Sequence, residues 1–362
     1  MQIFINGWGS ISAAGVGAAA AYERYRSDEP TWSVDTATGL PVYRIGKLPD
    51  DPTITAFTRR RAADRTTELA LHAARQAVRE AGWEGKDFAI LVGCSRGPTG
   101  AWEESFSGFQ STGEVATKTS PQTTLGSIGF ALADFFGTTS LATGMSVTCS
   151  SGFHALLHAV ALLEAGMVER VLVGGAEAPI TPFTLRQMQA MRIYAAAPEA
   201  PHRHACRPLT GAAASGMVVG EGAAFVALSR LPGEYAITGL GFAREKISSS
   251  TGISPEGLAL FASMQMSMKG SNGLPGAVVA HDPGTERGGL AERRALDRLF
   301  ANPVRVLSNK HLTGHTFGAS GPLGLDFALS VLQDEAFQTT DRALVNATGF
   351  GGNAVSVSVA RK

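Results

Sequence analysis

Apolar positions along the chain follow two periods, and the switches between them mark out its elements. From Ser146 to Gly166 a short β-leaning run ends at Val147, and Phe153, Leu156, Leu157, Val160 and Leu163 follow at helical spacing. This pattern predicts a strand, a tight turn carrying Cys149, and a buried helix. Upstream, Gln2 to Trp8 reads as a strand, Gly15 to Arg26 as helix or loop, and residues 28–56, rich in Pro, Asp and Thr, as irregular. Thr67 to Ala81 is strongly helical, with Leu69, Leu71, Ala74 and Val78 on one face. FAILVG (88–93) reads as a buried strand, 94–125 as a Gly/Ser/Thr-rich connection, Ser127 to Phe136 as a helix, SLATGMSV as a strand and ERVLVGGAEA as another.

From Tyr235 the order of elements begins again. AITGLG (236–241) echoes FINGWG (4–9), and AVVAHDPGT (277–285) echoes AILVGCSRG (89–97). RVLSNKHLTGHTFGASG (305–321) stands where MSVTCSSG stood and leads into a helix from Leu325 to Leu332; ALVNATGFGG (343–352) matches RVLVGGAEA. Four matched segments in one order predict a duplicated α/β chain, with halves 1–232 and 233–362. Each half should hold a mostly parallel sheet, because buried strands alternate with helices. Equivalent loops of such a pair meet at the pseudo-twofold centre, which would bring Cys149 to His281, His315 and the GFGG loop.

Composition narrows the functional classes. Lys+Arg and Asp+Glu are both 31, so net charge selects neither nucleic acid nor an anionic membrane. Cys94, Cys149 and Cys206 are too few and too scattered for a disulfide framework or a metal cluster, which predicts a reducing, cytoplasmic setting. The start, MQIFINGWGSISAAG, has no signal-peptide pattern, and two histidines and a glutamate interrupt FHALLHAVALLEAGMV well short of ~20 apolar residues. A lone cysteine is most often a small buried hydrophobe. Cys149, however, precedes a helix N-terminus, where unpaired N–H groups and the macrodipole favour thiolate, and Ser150, Ser151 and Gly152 leave its sulfur uncrowded.

These motifs together resemble the β-ketoacyl-(acyl carrier protein) synthases, elongating condensing enzymes of the thiolase superfamily. VTCSSG resembles the nucleophile motif, GGAEAPITPF the loop after the next strand and CRPL…VVGEGAAFVALSR the segment closing the first half. AHDPGT resembles the first histidine motif, NKHLTGHTFGASG the lysine–histidine motif and GFGGNA the terminal loop. The resemblance implies a thiolase-like fold, with two pseudo-symmetric halves in a five-layered αβαβα arrangement. It implies Cys149 as acyl-accepting nucleophile, His281 and His315 as the catalytic pair, and Lys310 as their supporting lysine. It further implies Phe350 as a gating aromatic between Gly349 and Gly351, with the Phe350 and Cys149 N–H groups as oxyanion hole. The expected reaction condenses an acyl group on Cys149 with malonyl-carrier protein, in fatty-acid, polyene or polyketide-type synthesis, without metal or organic cofactor. Expected partners are acyl carrier protein and a second subunit, as a homodimer or as a heterodimer with a ketosynthase-like chain. Arg59, Arg60, Arg61 and Arg65 in FTRRRAADR are candidates for docking the acidic carrier, against the plainer reading of a solvated helix start.

Departures from the family pattern fall around Lys310. Gly289 and Gly324 stand where acidic residues are usual, leaving Asp326 or Asp282 to compensate. PLTGAAASGM lacks the usual Asp and Arg, and Thr348 replaces an aromatic. His154, His158, His202, His204 and His311 are read as structural. Two other readings compete: a non-catalytic chain-length-factor-like partner, and an α/β-hydrolase using Ser95 in GCSRG, whose Pro98 and Gly100 make a poor helix start.

Overall fold

The computed structural model describes residues 2–247, 252–269, 273–334 and 341–362. The first half contributes strands β1 (Ile3–Ser12), β2 (Ala89–Gly93), β3 (Ala142–Met145), β4 (Arg170–Glu177) and β5 (Gly222–Ser229). The second contributes β6 (Tyr235–Arg244), β7 (Ala277–Val279), β8 (Arg305–Leu307), β9 (Arg342–Gly349) and β10 (Asn353–Arg361). The principal helices are α1 (Arg65–Glu80), α2 (Ser151–Glu164), α3 (Leu258–Ser267), α4 (Glu286–Leu299) and α5 (Ser320–Gln333).

Across the sheet the strands run β8-β7-β9-β10-β6-β1-β5-β4-β2-β3, so the second half mirrors the first about the β1–β6 junction. That junction is short, pairing Ile3, Phe4 and Ile5 with Ile237, Ala236 and Tyr235. Four strands of each half run one way; β5 and β10 oppose their neighbours. Helices α2 and α5 pack on each other and reach strands of both halves, while α1 covers the first half and α3, backed by α4, the second. The result is the expected five layers.

The repeated glycines explain the layering. A Cβ on Gly9 would lie 2.4 Å from the Ala73 carbonyl of α1, and one on Gly241 would lie 1.9 Å from the Ser263 carbonyl of α3. FINGWG and AITGLG are thus the two places where an outer helix lies against a central strand at backbone distance.

Several local expectations change. Residues 94–125 hold a helix, Thr99–Thr112, whose single fully buried residue is Thr99, so no apolar stripe announced it. Pro98 is its N-cap, a position where the missing N–H costs nothing. Residues 28–56 include a short ladder, Ser33–Val34 with Pro41–Val42, and the start of a helix, Pro52–Arg61, capped by the Asp51 carboxylate. Helix α5 begins at Ser320 rather than Leu325, because Gly321, Pro322 and Gly324 hide its first turn from a periodicity count. Among the described residues no helix is long and apolar enough to cross a membrane.

Candidate active site

Cys149 sits on the turn between β3 and α2, one residue ahead of the N-cap Ser150. Thr148 is held at φ 50°, a left-handed conformation that a β-branched residue adopts only when its surroundings impose it. Ser151 imposes it: its Oγ accepts from the Val147 N–H at 2.8 Å and donates to the Thr148 carbonyl. Opposite the turn, a Cβ on Gly349 would lie 2.2 Å from Thr148 Oγ1 and 3.0 Å from the Cys149 nitrogen. The GFGG loop of the second half therefore rests directly on the Cys149 turn, and Phe350 follows at that contact.

Burial, then the nearby Glu177 carboxylate, push the Cys149 thiol up to about 12, against the pull of Lys310 and Arg96. Burial and Glu177 thus act against the helix terminus, which by position alone was expected to favour thiolate. The helix terminus was legible in the sequence, whereas the depth of burial and Glu177 were not.

His281 follows β7, and its backbone N–H and that of Asp282 donate to the Glu292 carboxylate at 3.0 and 2.7 Å. Asn346 on β9 donates to the same carboxylate at 2.9 Å. His315 is anchored by its main chain, donating to Val218 O at 2.8 Å and accepting from Gly220 N at 3.0 Å. Its Nδ1 accepts the Phe317 N–H at 3.1 Å, which places the ring proton of the neutral imidazole on Nε2. Both rings are buried, with centroids 5.4 Å apart and planes nearly perpendicular. Burial and the Lys310 charge push His315 down to about 3, and burial, Lys310 and His315 hold His281 well below the usual imidazole range. Two neutral imidazoles thus share one enclosure, and Nδ1 of His281 has no protein partner among the described residues.

Lys310 is buried, and desolvation lowers its ammonium while Glu292 and Asp282 are the carboxylates that support it. The acid absent at position 289 is thus supplied from Glu292, one turn further along α4. A Cβ on Gly289 would lie 2.7 Å from Asp282 Oδ2, so a side chain there would have to displace a carboxylate that accepts from the Leu209 and Gly284 N–H groups. Asp326 does not take part: its carboxyl is buried on α5 beside Tyr25 and Ser10, where desolvation raises it to about 7. Position 324 faces Val345 and Val279, an apolar surround unsuited to a carboxylate.

Glu177, which the sequence reading passed over, ties the halves together. Its Oε1 accepts from the Ser95 N–H and, at 3.1 Å, from the Gly318 N–H of the second half, while Oε2 meets the distance and angle limits of a hydrogen bond with none of the described residues. Burial raises it to about 7. The available signal was an acid ending an otherwise apolar central strand.

The arginine cluster is rearranged. Arg59, Arg60 and Arg61 close a helix rather than open one, at the end where cations complement the macrodipole. Arg60 and Arg61 lie over the Phe57 ring at 5.5 and 5.7 Å, and Arg61 pairs with Asp134. Arg65 turns inward, its Nε and Nη2 donating to the buried Glu221 carboxylate at 2.8 and 2.7 Å, so its charge is matched inside the protein.

The profile of the Beta-ketoacyl synthase, N-terminal domain matches residues 20–233, and that of the Beta-ketoacyl synthase, C-terminal domain residues 235–341. The tetracenomycin polyketide synthase ketoacyl synthase alpha subunit of Streptomyces glaucescens is 27% identical, over 90% of this chain and 83% of its own length. The 3-oxoacyl-[acyl-carrier-protein] synthase 2 of Staphylococcus aureus (strain N315) is 26% identical, over 95% of this chain and 88% of its own. A ketosynthase in complex with its chain length factor, from Xenorhabdus doucetiae, superposes with a TM-score of 0.84 at 21% identity, covering 100% of this chain and 98% of the matched one. Two profiles that together span most of the chain, on a thiolase-like fold, establish that this protein belongs to the β-ketoacyl synthase family.

Proposed function

We propose that the chain is a catalytic ketosynthase subunit that condenses an acyl group held on Cys149 with a malonyl group on acyl carrier protein, giving a 3-oxoacyl product. The observation that carries this is the pair of buried, neutral imidazoles in one enclosure, one with its proton fixed on Nε2. In acyl transfer the Cys149 Sγ–C bond forms, the carrier's C–S bond breaks, and the thiol proton leaves with the carrier thiol. In condensation the malonyl group loses CO2, and its electron pair passes to the thioester oxygen as an enolate that accepts hydrogen bonds from the imidazoles. The enolate carbon then attacks the acyl carbonyl, the S–C bond breaks, and the Cys149 thiolate takes a proton from solvent. Lys310 holds positive potential beside both rings and keeps them neutral, hence able to donate without becoming acids. The N–H groups of Cys149 and Phe350 serve the tetrahedral oxyanion, with Gly349 and Gly351 allowing the close approach.

In this assignment residues 1–232 carry the nucleophile and residues 233–362 the histidines and terminal loop, as the mirrored strand order supports. The setting is the cytoplasm. A chain-length-factor-like role is not favoured, because Cys149, His281 and His315 are all in place. The second subunit, a ketosynthase-like chain, is assigned to the face that carries Trp102, Phe106 and Phe109 on one helix. All three are about half exposed.

The reaction is tested by mass spectrometry after incubation with an acyl-carrier thioester, followed by addition of malonyl-carrier. The acyl mass is expected on the Cys149 peptide and a 3-oxoacyl product in the second step. An adduct confined to Cys94 or Cys206 would refute the assignment.

A further inference from the structure

Arg96 is out of place in its surroundings. The apolar cluster that encloses Cys149 is built from Val42, Ile180, Leu185, Met217, Val219 and Phe317, among others. The Arg96 guanidinium lies against one wall of it, its carbon 5.8 Å from the centre of the Phe317 ring. The loop that carries it is fastened to the nucleophile turn, with the Ser95 carbonyl accepting from Ser146 Oγ at 3.1 Å. One Nη group donates to Gln187 Oε1 at 2.5 Å, on the helix that also supplies Leu185 and Met188 to the enclosure.

The guanidinium charge reaches Glu177 and Cys149, opposing the rise of each, but its hydrogen-bonding capacity is not filled from within. Nε is buried with no partner among the described residues, and so is Oε2 of Glu177, yet the two side chains form no ion pair. A buried donor left unbonded is unfavourable to the fold. A pocket made for alkyl chains gains nothing from such a group. A planar cation clamped by a ring and an amide, with an unpartnered N–H and a charge that reaches Cys149, suits an oxygen acceptor on the bound acyl chain.

We propose that Arg96, positioned by Gln187 and Phe317, hydrogen-bonds a keto oxygen of the acyl group entering Cys149, so that the subunit selects 3-oxoacyl over saturated chains. This rests on the ketosynthase reading above. Arg96 undergoes no covalent change; it donates to the keto oxygen while the acyl carbon passes from donor sulfur to Cys149 Sγ and the thiol proton leaves with the donor thiol. The reaction that supplies this substrate is then a preceding condensation whose product has not been reduced.

The test compares Cys149 acylation by 3-oxohexanoyl and hexanoyl thioesters of N-acetylcysteamine, followed by intact-protein mass spectrometry. Each rate is divided by that thioester's rate with a free thiol. The wild-type protein is expected to favour the 3-oxoacyl donor at least about tenfold, the scale of one hydrogen bond to a charged group. In Arg96→Met the ratio should fall to about threefold or less through loss of the 3-oxoacyl rate, and Arg96→Lys should lie between, because it keeps charge without the planar fork. Absence of preference in the wild type overturns the proposal whatever the variants do, as does an undiminished ratio in Arg96→Met. Failure of both thioesters to acylate Cys149 would instead overturn the ketosynthase reading beneath it.

Discussion

Replacing Glu177 with glutamine separates what that buried acid does for the fold from what it does to the nucleophile. The amide keeps an oxygen for the Ser95 and Gly318 N–H groups and removes the ionisable proton. In the folded protein this carboxyl is raised from 4.5 to about 7, so the native state binds its proton more tightly than the unfolded chain does. Its contribution to stability is therefore most favourable below pH 4.5 and is lost as pH rises through 7, amounting to about 3 kcal/mol across that window. Glu177→Gln should accordingly gain up to about 3 kcal/mol over wild type in denaturant unfolding at pH 8, with the difference closing at pH 4. The same change removes the second-largest influence raising the Cys149 thiol. Alkylation of Cys149 by iodoacetamide at pH 8 should therefore be faster in the variant, about three- to fourfold for each unit by which the thiol falls, since the gain in thiolate is offset in part by its lower nucleophilicity. A stability difference that is equal at pH 4 and pH 8 would show that Glu177 does not titrate as derived. Unchanged alkylation would show that its charge does not reach the sulfur.

On the proposed mechanism acylation uses the thiol and backbone N–H groups, whereas enolate formation uses imidazole donors. His315→Ala should thus still be acylated on Cys149 while losing about 10²-fold or more in condensation, and His281→Ala should do likewise; wild-type condensation in both would make the rings structural. Charge reversal at Arg60 and Arg61 should raise the KM for carrier-bound substrate at low ionic strength, and an unchanged KM there would remove them from the docking surface. Arg65→Ala should behave differently, lowering unfolding stability by about 3 kcal/mol because it strands the buried Glu221 carboxylate, and a stability equal to wild type would contradict the inward pairing.

What could be read from the sequence was local or repeated. The strand–turn–helix around Cys149, the two histidine motifs and the paired FINGWG and AITGLG segments each lie within a few residues of chain, and the shared order of elements implied a pseudo-twofold centre. Such features depend on periodicity and on glycines that admit close backbone contact, both of which a linear pattern records. Helix Thr99–Thr112 escaped because its apolar residues face outward, leaving no inward stripe to count. Tertiary structure alone decided the electrostatics. Glu292 supports Lys310 because α4 presents it one turn beyond Gly289, where Asp282 already fills the space. Arg65 faces Glu221, across 156 positions of sequence, rather than a partner protein. The Cys149 thiol is pushed up because it is desolvated beside Glu177, although it stands ahead of a helix N-terminus. Charge states depend on which groups are brought near and how much water is excluded between them, and neither quantity exists until the halves have closed on each other.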